Sequence, residues 1–127
     1  MPGSKGEILF YGIDNIGEKL EDIIQSLNLK KQCFEIKLII IEAVNNAFIH
    51  GNKKDKNKSI CIKWQLEESL LKVSITDCGE GVEKLKNYNY EDADILAESG
   101  RGLHIINCYS DSVEFKGNSI IMKKYLA

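Results

Sequence analysis

Two carboxylates, a carboxamide and two glycine clusters carry the chemistry that this chain can perform. The run "IIIEAVNNAFIHG" at 39–51 sets Glu42, Asn46 and His50 at successive i, i+4 positions. On a helix turning about 100° per residue, Glu42 and Asn46 fall within about 40° of each other, and His50 lies a further turn along the same side. Ile39 borders this stripe on one flank, Leu38 and Ile49 on the other, so the polar groups sit in an apolar surround. Burying an unpaired carboxylate costs on the order of several kcal/mol, so such a group has a cation, a hydrogen-bond network or a water-filled cleft. A cleft fits this pattern best. Asp77 is the second polar residue where a hydrophobe is expected, and Gly79 and Gly81 follow it in "DCGEG". A carboxylate there can accept a hydrogen bond from a ligand that the glycines allow close to the backbone, although such turns also close hairpins. "SGRGL" at 99–103 opens a predicted helix, and the free N–H groups and dipole of a helix start attract anions, phosphate first among them. It is neither a Walker A loop nor a dinucleotide fingerprint, and a lone Gly-x-Gly is also a common helix cap.

These groups need a scaffold, and the hydrophobic periods supply one. After an apolar segment at 8–11, "NIGEKLEDIIQSLNL" places Leu20, Ile23, Ile24 and Leu27 at helical spacing. A mostly apolar helix follows from about Cys33 to His50, ended by Gly51 in the left-handed conformation that glycine adopts most easily. "NKKDKNK" at 52–58 is a solvated connection. Ile60, Ile62, Trp64 and Leu66, then Leu71, Val73 and Ile75, alternate as two strands of a hairpin turning at 67–69. The charged 82–98 stretch precedes a helix carrying Leu103, Ile106 and Tyr109. "SVEFKG" and "SIIMKKYL" form a last hairpin about Gly117 and Asn118. This order predicts an α+β domain with an antiparallel or mixed sheet and helices on one face.

With 127 residues, the chain fits one domain with a real core. At 43% hydrophobic and 28% charged residues it reads as an ordinary globular protein, so composition alone selects no function. A net charge of −2 and no long basic face disfavour direct nucleic-acid binding. No leader or membrane span is visible, and a cytoplasmic location is expected. Cys33, Cys61, Cys78 and Cys108 contain no CxxC pair, which points to free thiols rather than zinc or a disulfide framework.

The order "E-x-x-x-N-x-x-x-H-G", "D-x-G-x-G", "G-x-G-L" resembles the N box and two glycine boxes of the GHKL superfamily, the Bergerat-fold ATP-binding proteins. The resemblance covers nearly the whole chain, and the short format with "EAVNNAFIHG" is most similar to anti-sigma-factor serine/threonine kinases. It implies a two-layer α/β sandwich, a mixed and mainly antiparallel sheet backed by helices, over residues 1–127. Residues 1–6 would be disordered and 82–98 would form an ATP lid. It implies ATP and Mg²⁺ as cofactors. By the same resemblance Glu42 would be the general base and Asn46 would hold Mg²⁺. Asp77 would accept the adenine amino group beside Gly79 and Gly81. Gly100, Gly102 and Leu103 would belong to the phosphate loop, and Ser119 would stand near adenine. His50 caps the helix or braces the N box. The family's basic residue before the second glycine loop is replaced by Leu96, Ala97 and Glu98, and Arg101 is expected to supply that charge. The implied partners are a sigma factor and a small antagonist (anti-anti-sigma) protein, with a homodimer as the assembly and no membrane. Two other readings remain open: a nucleotide-gated binding module without phosphoryl transfer, and a detached histidine-kinase catalytic domain.

Overall fold

The computed structural model describes residues 4–27, 29, 32–79 and 101–126. Its elements are β1 (Ser4–Tyr11), α1 (Ile16–Leu27), α2 (Cys33–Asn46), a π-helical turn (Ala47–Gly51), β2 (Ser59–Glu67), β3 (Leu70–Thr76), α3 (Arg101–Tyr109), β4 (Ser112–Lys116) and β5 (Ser119–Tyr125). Five strands form one sheet in the order β1-β2-β3-β5-β4, and every pairing is antiparallel. This is the α+β sandwich expected of the sequence, with no parallel pair among the described strands.

Period-two alternation makes the sheet one-sided. Ile60 and Ile62 of β2, Leu71, Val73 and Ile75 of β3, and Ile120 and Met122 of β5 are buried on one face, while Lys63 and Lys72 are exposed on the other. The stripe of α1 behaves as its spacing requires, burying Leu20, Ile23, Ile24 and Leu27. Helix α2 is apolar over more of its circumference because it touches α1, α3 and β3 at once. It buries Ile36, Ile39, Ile40, Ala43 and Val44. Ile106 of α3 is fully buried and Leu103 packs against the core, whereas Tyr109 turns outward.

Two expectations are corrected. Strand β1 starts at Ser4, so the disorder expected for 1–6 does not extend over Ser4, Lys5 and Gly6, which pair with Leu66, Gln65 and Trp64. Gly6 permits this because any side chain there would run into the Trp64 indole. The end of the second helix is also different. Gly51 is not left-handed; it belongs to the π turn, closed by the Asn52 N–H donating to the Ala47 carbonyl at 2.8 Å. The positive φ values fall instead on Lys53 (54°) and Lys54 (64°), and the Lys54 N–H donates to the Phe48 carbonyl at 2.7 Å. The extra residue in the turn moves the stop signal downstream.

Candidate functional site

The polar stripe of α2 meets the first turn of α3. Asn46 is buried and Glu42 half-buried, one turn apart on α2. A β-carbon placed on Gly102 would lie 3.1 Å from Glu42 Oε2 and 3.3 and 3.4 Å from Asn46 Nδ2 and Oδ1. Glycine at 102 is therefore what lets the start of α3 approach the carboxylate and the carboxamide. Asn46 Nδ2 is buried and has no hydrogen-bond partner among the described residues. An unsatisfied buried donor costs roughly 1–3 kcal/mol, so a donor left open here points to a polar guest. The first turn of α3, whose leading N–H groups have no partner within the helix, lies beside these side chains at Gly102, and a helix start suits an anion.

Asp77 forms the other part of the site. It leaves β3 in the same register as Ile75 and is partly buried. Its amide donates to the Asn118 carbonyl at 3.1 Å, and its Oδ1 accepts from the Gly79 N–H at 2.7 Å. A side chain at Gly51 would collide with the Asp77 carboxylate, and one at Gly79 would strike the Gly51 carbonyl. Two glycines from distant segments thus clear the space in which Asp77 sits at the end of α2. Burial pushes the Asp77 carboxyl above its ordinary value, with the Gly79 N–H and Lys58 opposing that rise.

Glu42, Asn46 and Gly102 are brought together, and Asp77 and Gly79 share the second cluster with Gly51. Leu103 is partly buried and packs against the core. Ser119 is corrected outright: its hydroxyl pairs with Thr76 Oγ1 at 2.5 Å, on the sheet face opposite Ile75 and Ile120. A period of two puts Thr76 and Ser119 on one side and Asp77 on the other, so Ser119 does not face the site. Gly81, Gly100 and the lid at 82–98 lie outside the described residues, as does the side chain of Arg101, whose backbone opens α3. His50 lies in the π turn with its Nε2 buried and without a hydrogen-bond partner among the described residues.

Two contributors escaped the sequence reading. Gly51 was expected to end a helix, yet its role is to leave room for Asp77; the available signal was its place at the end of the same stretch as Glu42 and Asn46. Asn52 stood in a lysine-rich connection and is in fact fully buried. Only its place at the head of the charged run, directly after Gly51, marked it.

Among the described residues no helix is long and apolar enough to cross a membrane. Residues 13–124 match the family model described as "Histidine kinase-like ATPase domain". The chain is similar to the anti-sigma F factor of Clostridium perfringens, 35% identical over 98 residues that cover 71% of this chain and 70% of that protein. It is 33% identical to the anti-sigma F factor of Oceanobacillus iheyensis and 34% identical to that of Bacillus cytotoxicus. Each match spans 101 residues, 73% of this chain and 69% of the relative.

Proposed function

This chain belongs to the histidine kinase-like ATPase domain family, and from that premise we propose that it is an ATP-dependent serine/threonine kinase of the anti-sigma type. It binds ATP, sequesters a sigma factor, and phosphorylates a small antagonist protein that releases it. The observation that carries this reading is the convergence of Glu42, Asn46 and Gly102, a proton acceptor and a carboxamide against the start of a helix.

The residues divide the work by chemistry. Asp77 accepts the adenine amino group, and Gly51 and Gly79 keep its surroundings open. The α3 start, with Gly102 and Arg101, receives the phosphates. Asn46 would hold Mg²⁺ through its Oδ1, which lies beside Gly102 at the phosphate end, while its buried Nδ2 is a donor suited to a phosphate oxygen. When bound, the ion supplies positive charge to the phosphate oxygens. Glu42 accepts the proton of the attacking serine or threonine hydroxyl, a contribution of roughly 10²–10⁴-fold. Ile39 and Ile40, both buried, help keep bulk water from the base of α2.

A cytoplasmic location and a homodimer belong to the same reading. The dimer is supported by β1, which has no outer neighbour among the described strands and whose Leu9 and Tyr11 are exposed. Immobilised protein incubated with lysate of the source cell tests the partner directly. The expected result is capture of a sigma factor with Mg-ATP and its release when the antagonist is added. Failure to retain any sigma factor, with or without nucleotide, would overturn the anti-sigma assignment.

A further inference from the structure

Asn52 is fully buried, yet it lies outside the stripe of Glu42 and Asn46 and outside the Asp77 turn. Its amide joins three segments. Its backbone N–H closes the π turn on the Ala47 carbonyl at 2.8 Å. Its Nδ2 donates to the Ser59 carbonyl at 3.1 Å and to the Lys58 carbonyl at 3.4 Å, where β2 begins. Its Oδ1 accepts the Cys78 N–H at 2.8 Å, inside the turn that follows β3. Both side-chain hydrogens and one lone pair are thereby committed, and no other residue type offers two donors and an acceptor at this length.

We infer that Asn52 is the positioning residue for base recognition, holding the 77–79 turn against the end of α2 so that Asp77 presents its carboxylate in one orientation. This rests on the nucleotide reading above and adds a residue that touches no ligand. The neighbouring peptide explains the leverage. Cys78 lies between Asp77, whose amide is tied to Asn118, and Gly79, whose N–H holds Asp77 Oδ1. The Cys78 N–H has no sheet partner, so Asn52 is its anchor. Without that bond the turn is held, among the described residues, by Asp77's own contacts and by the weaker thiol contacts of Cys78 with the Ser59 hydroxyl (3.3 Å) and carbonyl (3.5 Å), and the close fit of Gly79 against the Gly51 carbonyl is freer to open. The phosphate end, built from α2 and α3, does not pass through Asn52. Base affinity and phosphate affinity therefore separate.

The test uses the full chain with Asn52→Asp and Asn52→Ala. The first variant keeps the acceptor for Cys78 but sets carboxylate oxygens against the Ser59 and Lys58 carbonyls; the second removes every side-chain contact. Binding of ATP and of inorganic tripolyphosphate is measured by calorimetry, and exchange of the Cys78 amide by NMR. The expected result is a loss of about tenfold or more in ATP affinity. Tripolyphosphate affinity should stay within about twofold, and the Cys78 amide should lose protection. A parallel fall for both ligands marks Asn52 as merely structural and overturns the proposal, as does unchanged ATP binding in Asn52→Ala. Should neither variant fold, the wild type decides: a Cys78 amide exchanging as fast as an exposed loop overturns the latch, and one protected like β3 supports it. A wild type that binds tripolyphosphate but not ATP sinks the nucleotide reading instead, and the Cys78 amide still reports on the latch.

Discussion

At residue scale the site is defined by groups that stability alone would not select. Asn46 buries a donor unpaired among the described residues, Asp77 half-buries a carboxylate, and Gly51, Gly79 and Gly102 forgo side chains where any side chain would crowd a polar group. Asp77 gives the clearest consequence. Because burial raises its folded value above the ordinary 3.8, the ionised form is disfavoured by the fold. The resulting stability is full below the unfolded value and is lost as pH rises through the raised folded one. The adenine recognition proposed for Asp77 runs the other way, since it is strongest with the ionised acceptor and weakens as pH falls through that same raised value. Asp77→Asn is expected to remove both trends. Urea titrations of the free protein from about pH 4 to 7 should show the variant gaining stability relative to wild type as pH rises. Calorimetry at neutral pH should show ATP affinity reduced by about tenfold or more.

At the scale of elements, the long-period signals were legible and the local irregularities were not. The α1 stripe, the β2–β3 hairpin and the turn at Gly117 followed directly from hydrophobic spacing and turn chemistry. The π turn had no such marker, because a single extra residue in a helix leaves the apolar pattern nearly unchanged. Ser119 was misplaced because a motif position fixes a residue near a site but not the sheet face it occupies, which the register with Thr76 decides. Lys124 was likewise not singled out. It occupies a core-facing position on β5, where its Nζ donates to the Tyr109 carbonyl at the end of α3 at 2.6 Å and pairs with Glu35 of α2 at 3.2 Å. One ammonium thereby fastens two helices to the sheet and complements the negative end of α3. Lys124→Met keeps the stem but leaves that carbonyl unpaired, and should lower unfolding free energy by roughly 1–3 kcal/mol in a denaturant titration. Glu35→Gln should cost less, because that carboxylate is substantially exposed.

For the molecule as a whole, the two-layer architecture explains why a chain this small can carry an ATP site. One face of the sheet is covered by α1, α2 and α3, and the site lies where α2 meets the start of α3 and the exit of β3. No single element holds it. Glu42 and Asn46 come from α2, Gly102 from α3 and Asp77 from the end of β3, so the proposed phosphoryl transfer depends on all three elements keeping their positions. The most direct measurement is transfer of labelled terminal phosphate from Mg-ATP to small proteins of the source-cell lysate. Wild type and Glu42→Ala are compared after both have been shown to bind ATP. The account predicts one labelled small protein with the wild type and a loss of roughly 10²-fold or more with Glu42→Ala at retained ATP affinity. Equal labelling by both proteins, or none by a wild type that binds ATP tightly, would contradict it.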